Sequence, residues 1–150
     1  MLNTPDEVSY RLALAKGFLA EAEQDLTLER WRSCVDNAQL SVENAGKSVL
    51  ASFGVVPRTH DPAQQIAVLM NRETLPENVK TVLAEMLPDL LTLGQAEHFL
   101  TDYGDESTYT LPWDLFSAES AEDALAVTRR VYKQATQLVI ALQEWRKQSK

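Results

Sequence analysis

Apolar residues recur at helical spacing along almost the whole chain, and no strand-like alternation of apolar and polar residues persists. Steps of three and four residues place apolar side chains on one face of a helix, so each such run predicts a helix with one buried stripe. Thr4 is a candidate N-cap of the first helix, Pro5 its first residue, and Gly54 a candidate terminator of the second helix. The first two stripes consist of Val8, Leu12, Ala15, Leu19, Ala22 and Leu26, and of Trp31, Val35, Ala38, Val42, Ala45 and Val49.

Prolines divide the middle of the chain into shorter helical segments. The stretch VVPRTHDP predicts a linker, after which Asp61 caps a short third helix that begins at Pro62. A fourth helix is predicted from about Pro76. It should kink or break at Pro88, because proline lacks the N–H group that would bond to the carbonyl of Ala84.

The C-terminal third of the chain predicts a further helical stretch, a loop and one long helix. The helical stretch ends near Gly104, and a loop rich in aromatic residues follows as far as Ser117. The last helix is predicted from about Ser120 through Trp145. Long helices with modest connections favour antiparallel packing. We therefore predict an all-α, antiparallel up-and-down bundle of four or five helices with one short extra helix, as a single domain over residues 1–150.

Composition and charge narrow the class of protein. Hydrophobic residues make up 45% of the chain and charged residues 24%, which is typical of a globular domain. The net charge of −8 disfavours non-specific nucleic-acid binding, which depends on Lys and Arg at phosphates. No apolar stretch approaches the roughly 18 residues that span a bilayer, so we expect no membrane segment.

Three residues inside the helical patterns have structural interpretations. Cys34, the one cysteine, excludes an internal disulfide and suits a reducing, cytoplasmic location. Its position within a helical pattern predicts a core thiol in preference to a reactive one. Gly17 and Gly46 lie inside the first two helices, where we expect them at close helix contacts.

The two histidines give only weak candidates for a site. His98 and Asp102 are four residues apart and would share a helix face, but spacing fixes no third metal ligand. His60 adjoins Asp61, whose expected role is a helix cap. The chain also lacks the glycine-rich phosphate loops and the His-Glu-x-x-His metal motif. We therefore predict neither a metal nor a cofactor.

Four segments of the chain resemble the HEPN domain, a helical-bundle family named for higher-eukaryote and prokaryote nucleotide binding. The segments are AKGFLAEAEQDL, DNAQLSVENAGKSVLASFGVVPRTHDPAQQIAVL, HFLTDYGDES and SAEDALAVTRRVYKQATQLV. In the second segment a helix with a Glu and a Lys leads to a turn, after which the family often has a histidine, matched here by His60. The family's tyrosine near the end of the later helix is matched by Tyr103.

The resemblance implies particular partners and activities. Prokaryotic HEPN proteins of this size are frequently encoded beside a small nucleotidyltransferase and act as its partner. Some members cleave RNA without metal, and others are proposed to bind nucleotides. The resembling nucleases carry Arg, four to six residues, and then His, so that Arg stabilises phosphate charge while His handles the proton. Neither histidine here has an arginine at that spacing, and Asp102 replaces the arginine that commonly precedes the tyrosine.

The sequence therefore predicts a non-enzymatic interaction module of a toxin–antitoxin-like pair, with no catalytic residues. Its expected partners are a second copy of the chain, a small nucleotidyltransferase and a nucleotide. The aromatic loop 109–116 would contribute to the homodimer, unless Trp113 and Phe116 fold back onto their own core. One alternative is an RNA endonuclease toxin with a degenerate site, and another is a self-associating bundle without a ligand. The candidate binding residues are Lys47, Arg58, His60, His98, Asp102, Tyr103 and Asp105.

Overall fold

The computed structural model describes residues 5–54, 62–71, 74–94 and 100–148, with residues 5 and 6 described by their backbone alone. Its described part contains no β-strand, and one isolated bridge joins Asp105 and Thr110. The all-α prediction is therefore confirmed. The helices are α1 (Pro5–Thr27), α2 (Trp31–Ser52), α3 (Ala63–Met70), α4 (Glu77–Thr92), α5 (residues 100–103), α6 (Pro112–Leu115) and α7 (Ala118–Gln148).

Helices α1 and α2 form an antiparallel pair. Ser41 Oγ donates to the carbonyl of Ala15 over 2.6 Å, and Asn37 Nδ2 donates to Asp25 Oδ2 over 2.7 Å. Residues later in α2 thus contact residues earlier in α1, as antiparallel helices require. The reversal is tight, and Glu29 adopts a φ of 59° within it. Small residues along the contact let the two helices approach closely enough for these side-chain bonds.

Helix α7 lies along α2 in the same direction, which completes the alternation of an up-and-down bundle. Thr128 Oγ1 donates to the carbonyl of Ala38 over 3.3 Å. Near the other end of both helices, Arg146 Nη1 donates to the carbonyl of Ser52 over 2.7 Å. α2 and α7 are the second and fourth of the four long helices in the described part of the chain, and an up-and-down bundle requires these two to run in the same direction.

The remaining long helix, α4, is joined to α7 by a two-pronged ion pair. Arg130 Nε and Nη2 lie 2.7 Å and 2.8 Å from the two carboxylate oxygens of Asp89. The sequence predicts a kink or a break at Pro88, and the break does not occur, since α4 continues to Thr92. The missing N–H removes one backbone bond, and helical bonding continues beyond it, since the amide of Leu93 donates to the carbonyl of Asp89 over 3.2 Å.

The predicted stripes form the core. Every apolar position of the second stripe from Val35 to Val49 is buried, whereas the first stripe alternates buried alanines with half-buried leucines. α7 contributes a third row that meets both. Its fully or nearly fully buried members are Leu125, Val131, Ala135, Leu138 and Leu142.

The start of the last helix differs from the prediction. α7 begins at Ala118, two residues before the predicted Ser120. Ser117 Oγ accepts from the amide of Ser120 over 3.2 Å, and Ser120 Oγ accepts from the amide of Ser117 over 2.7 Å. This reciprocal arrangement is a capping box with serine in place of the usual Glu or Gln. The short helix α6, within the predicted loop, begins at Pro112.

Candidate functional site

Lys47 lies on a buried polar face of α2. Its Nζ is 3.1 Å from Oε2 of Glu43, one turn earlier, and Gln39 Nε2 donates to the other oxygen of Glu43 over 3.4 Å. The exposed fractions are 0% for Gln39, 5% for Glu43 and 8% for Lys47. Moving the two charges out of water costs on the order of several kcal/mol per ion, and their mutual attraction offsets part of this cost. A helix face shaped by packing alone would carry apolar residues here.

Three of the predicted site residues lie outside the described part of the chain. These are Arg58, His60 and His98. Their grouping with Lys47 therefore stays a prediction. The remaining three, Asp102, Tyr103 and Asp105, are described and lie together where α5 ends.

Helix α5 is attached to α2 by a hydrogen bond from a fully buried side chain. Thr101 Oγ1 donates to Asp36 Oδ1 over 3.1 Å. Asp36 precedes Lys47 by about three helical turns, or about 16 Å along the axis of α2. The described candidates thus form two groups, one around Lys47 and one around Tyr103.

A glycine ends α5 and leaves Tyr103 exposed. The amide of Gly104 donates to the carbonyl of Leu100 over 2.9 Å, and its φ of 72° is the left-handed conformation that glycine adopts at helix C-termini. A Cβ atom at this position would overlap the carbonyl oxygen of Thr110 and lie 3.0 Å from Cδ of Pro112. The chain beyond α5 therefore folds directly back against its end, while 63% of Tyr103 stays exposed.

The residues after Gly104 form a closed hairpin turn. Asp105 and Thr110 exchange two backbone hydrogen bonds of 2.9 Å and 3.0 Å. Inside the turn, Asp105 Oδ1 accepts from the hydroxyl of Ser107 over 2.5 Å and from its amide over 3.0 Å. The hydroxyl bond is the largest cause of a pKa of Asp105 below its ordinary value of 3.8. The turn is thus fixed by its own hydrogen bonds and keeps an ionised carboxylate.

Tyr109 occupies an unfavourable backbone conformation in this turn. Its φ of 56° is left-handed, which costs a non-glycine residue about 1 kcal/mol. The side chain recovers none of this cost by packing inside the chain, because 92% of it is exposed. The tightly hydrogen-bonded turn therefore holds a large aromatic ring in solvent.

Two more large, exposed apolar side chains follow Tyr109 closely in the sequence. Leu111 is 57% exposed and Trp113 is 68% exposed, with the guanidinium carbon of Arg32 lying 5.8 Å from the indole centroid. Phe116 instead folds back onto the core, at 8% exposure, and the half-buried Leu115 packs against the core as well. We define the hairpin surface as Tyr103, Tyr109, Leu111 and Trp113. An open groove of about 480 Å³ is lined by Tyr103, Asp105, Glu106, Tyr109, Thr110 and Leu111.

Comparison with protein families identifies this bundle. The model of the HEPN domain matches residues 8–138. The chain belongs to the HEPN family. This match extends from α1 through α6 and covers most of α7, so the resemblance read from the four sequence segments is confirmed.

Two crystal structures share the HEPN fold of this chain. One is TT1696 from Thermus thermophilus, with 18% identity, a TM-score of 0.64, and coverage of 87% of this chain and 97% of that one. The other is ST0689, an archaeal HEPN homologue, with 17% identity, a TM-score of 0.66, and coverage of 88% and 97%. These likenesses establish the fold alone. No curated protein matches the chain significantly.

A second cavity of this HEPN chain lies where α2, the end of α4 and the start of α7 meet. Its volume is about 210 Å³, and Asp123 and Ser120 are among its few polar lining residues. Apolar side chains of the core, including Val35 and Phe116, form most of its wall. The cavity is therefore a gap in helix packing with a polar rim, and no charged pair points into it among the residues described.

Cys34 is a structural thiol, as its position in the helical pattern predicted. It is fully buried, and its Sγ lies 3.8 Å from the carbonyl oxygen of Ala121. Burial, with a smaller contribution from the charge of Asp25, raises the pKa of the thiol from 9.0 to about 11. The thiolate that would act as a nucleophile is therefore disfavoured.

Metal-binding clusters and membrane-spanning helices are both absent from the described residues. No group of three or more His, Cys, Asp or Glu side chains is arranged there to hold a metal ion. None of the described helices combines the length and the apolar character that a membrane span requires.

Part of the candidate site was not predicted. The pairing of Glu43 with Lys47 follows from their spacing of four on a helix, a signal that the sequence contains. The sequence predicts a helix end at Tyr103 and only a loop for the rest of the hairpin surface, although Gly104, the Asp-Glu-Ser-Thr run and Pro112 are the residues that turns and helix starts require. No local signal predicts that Tyr109 points into solvent.

Proposed function

We propose that this HEPN chain is a non-catalytic interaction module that binds a protein partner. The observation that carries the proposal is the placement of Tyr109, a bulky ring held almost fully in solvent at a backbone conformation that disfavours it. Such strain persists where the surrounding structure imposes it, and it concentrates at binding sites.

The closed turn makes this surface suited to binding. Association ordinarily costs about 0.5–1.5 kcal/mol for each flexible side chain that becomes immobilised, and ordering a loop adds to this cost. Here the hydrogen bonds between Asp105 and Thr110 order the backbone before any partner arrives. Tyrosine and tryptophan are also the residue types that most often dominate the binding energy of protein interfaces.

The partner we propose is a small nucleotidyltransferase, as the family resemblance implies, with the two chains forming a toxin–antitoxin-like pair. The chain's net charge of −8 would attract a basic partner and accelerate the encounter. A nucleotide is a second proposed ligand. Its phosphates would need cations, and among the candidate residues these are Lys47 and Arg58.

The proposal predicts that a small nucleotidyltransferase is encoded beside this gene, and coexpression of the two proteins tests it. We expect the two proteins to coelute in size-exclusion chromatography, with light scattering giving the sum of their masses. The complex should weaken as salt rises, because the long-range attraction is screened. Separate elution at tens of micromolar of each protein would contradict the proposal.

One observation favours the alternative function of RNA cleavage. The buried pair of Glu43 and Lys47, beside the polar Gln39, is costly for a purely structural helix. A degenerate nuclease site would use Lys47 together with Arg58 and His60. RNA cleavage that is lost on His60→Ala would support this alternative over the interaction module.

A further inference from the structure

We infer that the hairpin surface docks a segment of the protein partner in which lysine or arginine residues accompany an aromatic or aliphatic anchor. The inference rests on the proposed function and adds to it the docking site and the chemistry of the docked segment. Three features carry it: clustered apolar exposure, local charge and the shape of the groove.

Apolar exposure is concentrated at this surface. The described residues include nine exposed large hydrophobic side chains, and four of them lie within residues 103–113. The other five, including Val68 on α3 and Ile140 on α7, are scattered over five other parts of the chain. Single exposed apolar residues are ordinary, whereas a contiguous group rimmed by polar residues marks an interaction site.

The charged residues that lie near the hairpin surface in the sequence are all acidic. No Lys or Arg occurs from residue 81 to residue 128. Asp102, Asp105, Glu106 and Asp114 all fall within or beside the hairpin surface, and Arg32, stacked on Trp113, is the cation that α2 brings there. A docked segment with positive charge would match these carboxylates, whereas an acidic or phosphorylated segment would be repelled.

The same charges argue against a second copy of this chain as the occupant. A twofold contact places the same surface patch on both subunits. At the hairpin surface it would bring Asp105, Glu106 and Asp114 of one copy towards the same acids of the other. Like charges that face each other across an interface repel. A basic segment of a different protein therefore fits this surface better than a second copy of the chain does.

The groove has the form that a long basic side chain fills. Two aromatic residues, Tyr103 and Tyr109, line it together with the acidic Asp105 and Glu106. The aliphatic stem of a lysine or arginine can lie against the rings while its charged end reaches the carboxylates. The neighbouring Leu111 and Trp113 then provide the apolar contact for the anchor. The carboxylate of Asp105, whose pKa lies below its ordinary value because Ser107 donates hydrogen bonds to it, is charged at neutral pH.

Titration of the ¹⁵N-labelled chain with three short synthetic peptides tests the inference. The first combines Lys and Arg with Leu and Trp, the second replaces Lys and Arg with Glu, and the third replaces Leu and Trp with Ser. We expect the first peptide to shift amide resonances from Tyr103 to Asp114 and the other two to bind at least about tenfold more weakly. Shifts that are absent, that spread over the acidic surface, or that are equal for all three would overturn the inference.

Matched variants locate the binding energy. Tyr109→Gly removes the ring and introduces the residue that favours the observed φ, so the fold should persist. Ile140→Ala removes an exposed apolar side chain from α7 as a control. We expect Tyr109→Gly to weaken binding of the first peptide by about tenfold and Ile140→Ala to leave it unchanged. Equal effects would overturn the assignment.

Charge reversals distinguish binding at the hairpin surface from non-specific attraction to the acidic chain. Glu106→Lys and Glu85→Lys change the net charge equally, but Glu85 lies on α4. We expect Glu106→Lys to weaken peptide binding several-fold more than Glu85→Lys does. Binding of the same variants to the nucleotidyltransferase distinguishes a wrong docking site from a wrong proposed function. If the unmodified chain binds this enzyme and the hairpin variants bind equally well, the docking site is wrong and the proposed function stands; if it does not bind, the proposed function fails.

Discussion

Gly46 of α2 lies directly against Pro62, the residue that precedes α3. A Cβ atom at position 46 would stand 2.5 Å from Cγ and 3.2 Å from Cβ of Pro62, and 3.5 Å from a methyl carbon of Leu90. The absence of a side chain at Gly46 thus allows the start of α3 and the end of α4 to pack on α2. The close contact expected at this glycine is confirmed.

We predict that Gly46→Ala destabilises the fold. The proline ring is rigid, so the added methyl group forces a backbone shift that costs about 1–3 kcal/mol, less the helix-propensity gain of up to about 1 kcal/mol. Urea denaturation followed by circular dichroism measures the difference. An unchanged or raised free energy of unfolding would show that the contact yields without cost.

Gly17→Ala is the matched control, and its expected sign is opposite. The sequence predicted a close contact at Gly17 too, which is wrong, because outside its own helix no atom lies within 4 Å of a Cβ built there. With open space around it, alanine brings only its better helix propensity. We expect Gly17→Ala to raise the free energy of unfolding by up to about 1 kcal/mol.

Charge substitutions in the two N-terminal stripes should differ in severity. Val42 is 2% exposed, so Val42→Asp places an unpaired charge in the core at a cost of several kcal/mol and should abolish folding. Leu12 is half-buried at the edge of the core, and Leu12→Asp should lower the melting temperature without unfolding the chain. Thermal melts that show native stability for Val42→Asp would contradict the observed helix register.

The sequence predicts the core better than the site for a physical reason. The burial of Val42 follows from the spacing of its neighbours along one helix, which is local information. The exposure of Tyr109 depends on pairing between Asp105 and Thr110 and on the contact of Gly104 with Pro112. Those contacts join residues across a turn, and no periodic pattern encodes them.

The buried thiol of Cys34 should make stability fall at high pH. Its pKa is 9.0 when exposed and about 11 in the fold, so the unfolded chain loses this proton first as pH rises from 9 to 11. The neutral thiol favours the folded state below that window, and the contribution lost across it is about 2–3 kcal/mol.

Urea midpoints measured with a reducing agent across this window test the effect. We expect the free energy of unfolding to decline more steeply with pH for the unmodified chain than for Cys34→Ala. The cavity that alanine leaves lowers the free energy of unfolding by the same amount at every pH, so it does not change the slope. Parallel slopes would mean that Cys34 does not titrate differently in the two states.

We predict that the chain forms a homodimer through its helices, as the family resemblance suggests. The acids around the hairpin surface argue against the other expectation from the sequence, that the aromatic loop 109–116 contributes to the dimer. Light scattering at tens of micromolar should give about twice the monomer mass of 16.8 kDa. Tyr109→Gly and Trp113→Ala should leave that mass unchanged, because acids surround the hairpin surface. A monomer mass would exclude the dimer, and a dimer that dissociates in these variants would instead locate the interface at the hairpin.

The last prediction is that the purified chain leaves single-stranded RNA intact. Cleavage in line requires an acid or base near the reacting oxygens and positive charge on the phosphate. The cation that the structure describes among the candidates, Lys47, is 8% exposed and its ammonium group contacts Glu43. At the other candidate group, Asp102 and Asp105 would repel a phosphate. Incubation with a chelator, using His60→Ala and Lys47→Met for comparison, provides the test. Cleavage that disappears in either variant would establish a nuclease, whereas cleavage equal in all three samples would identify a contaminant.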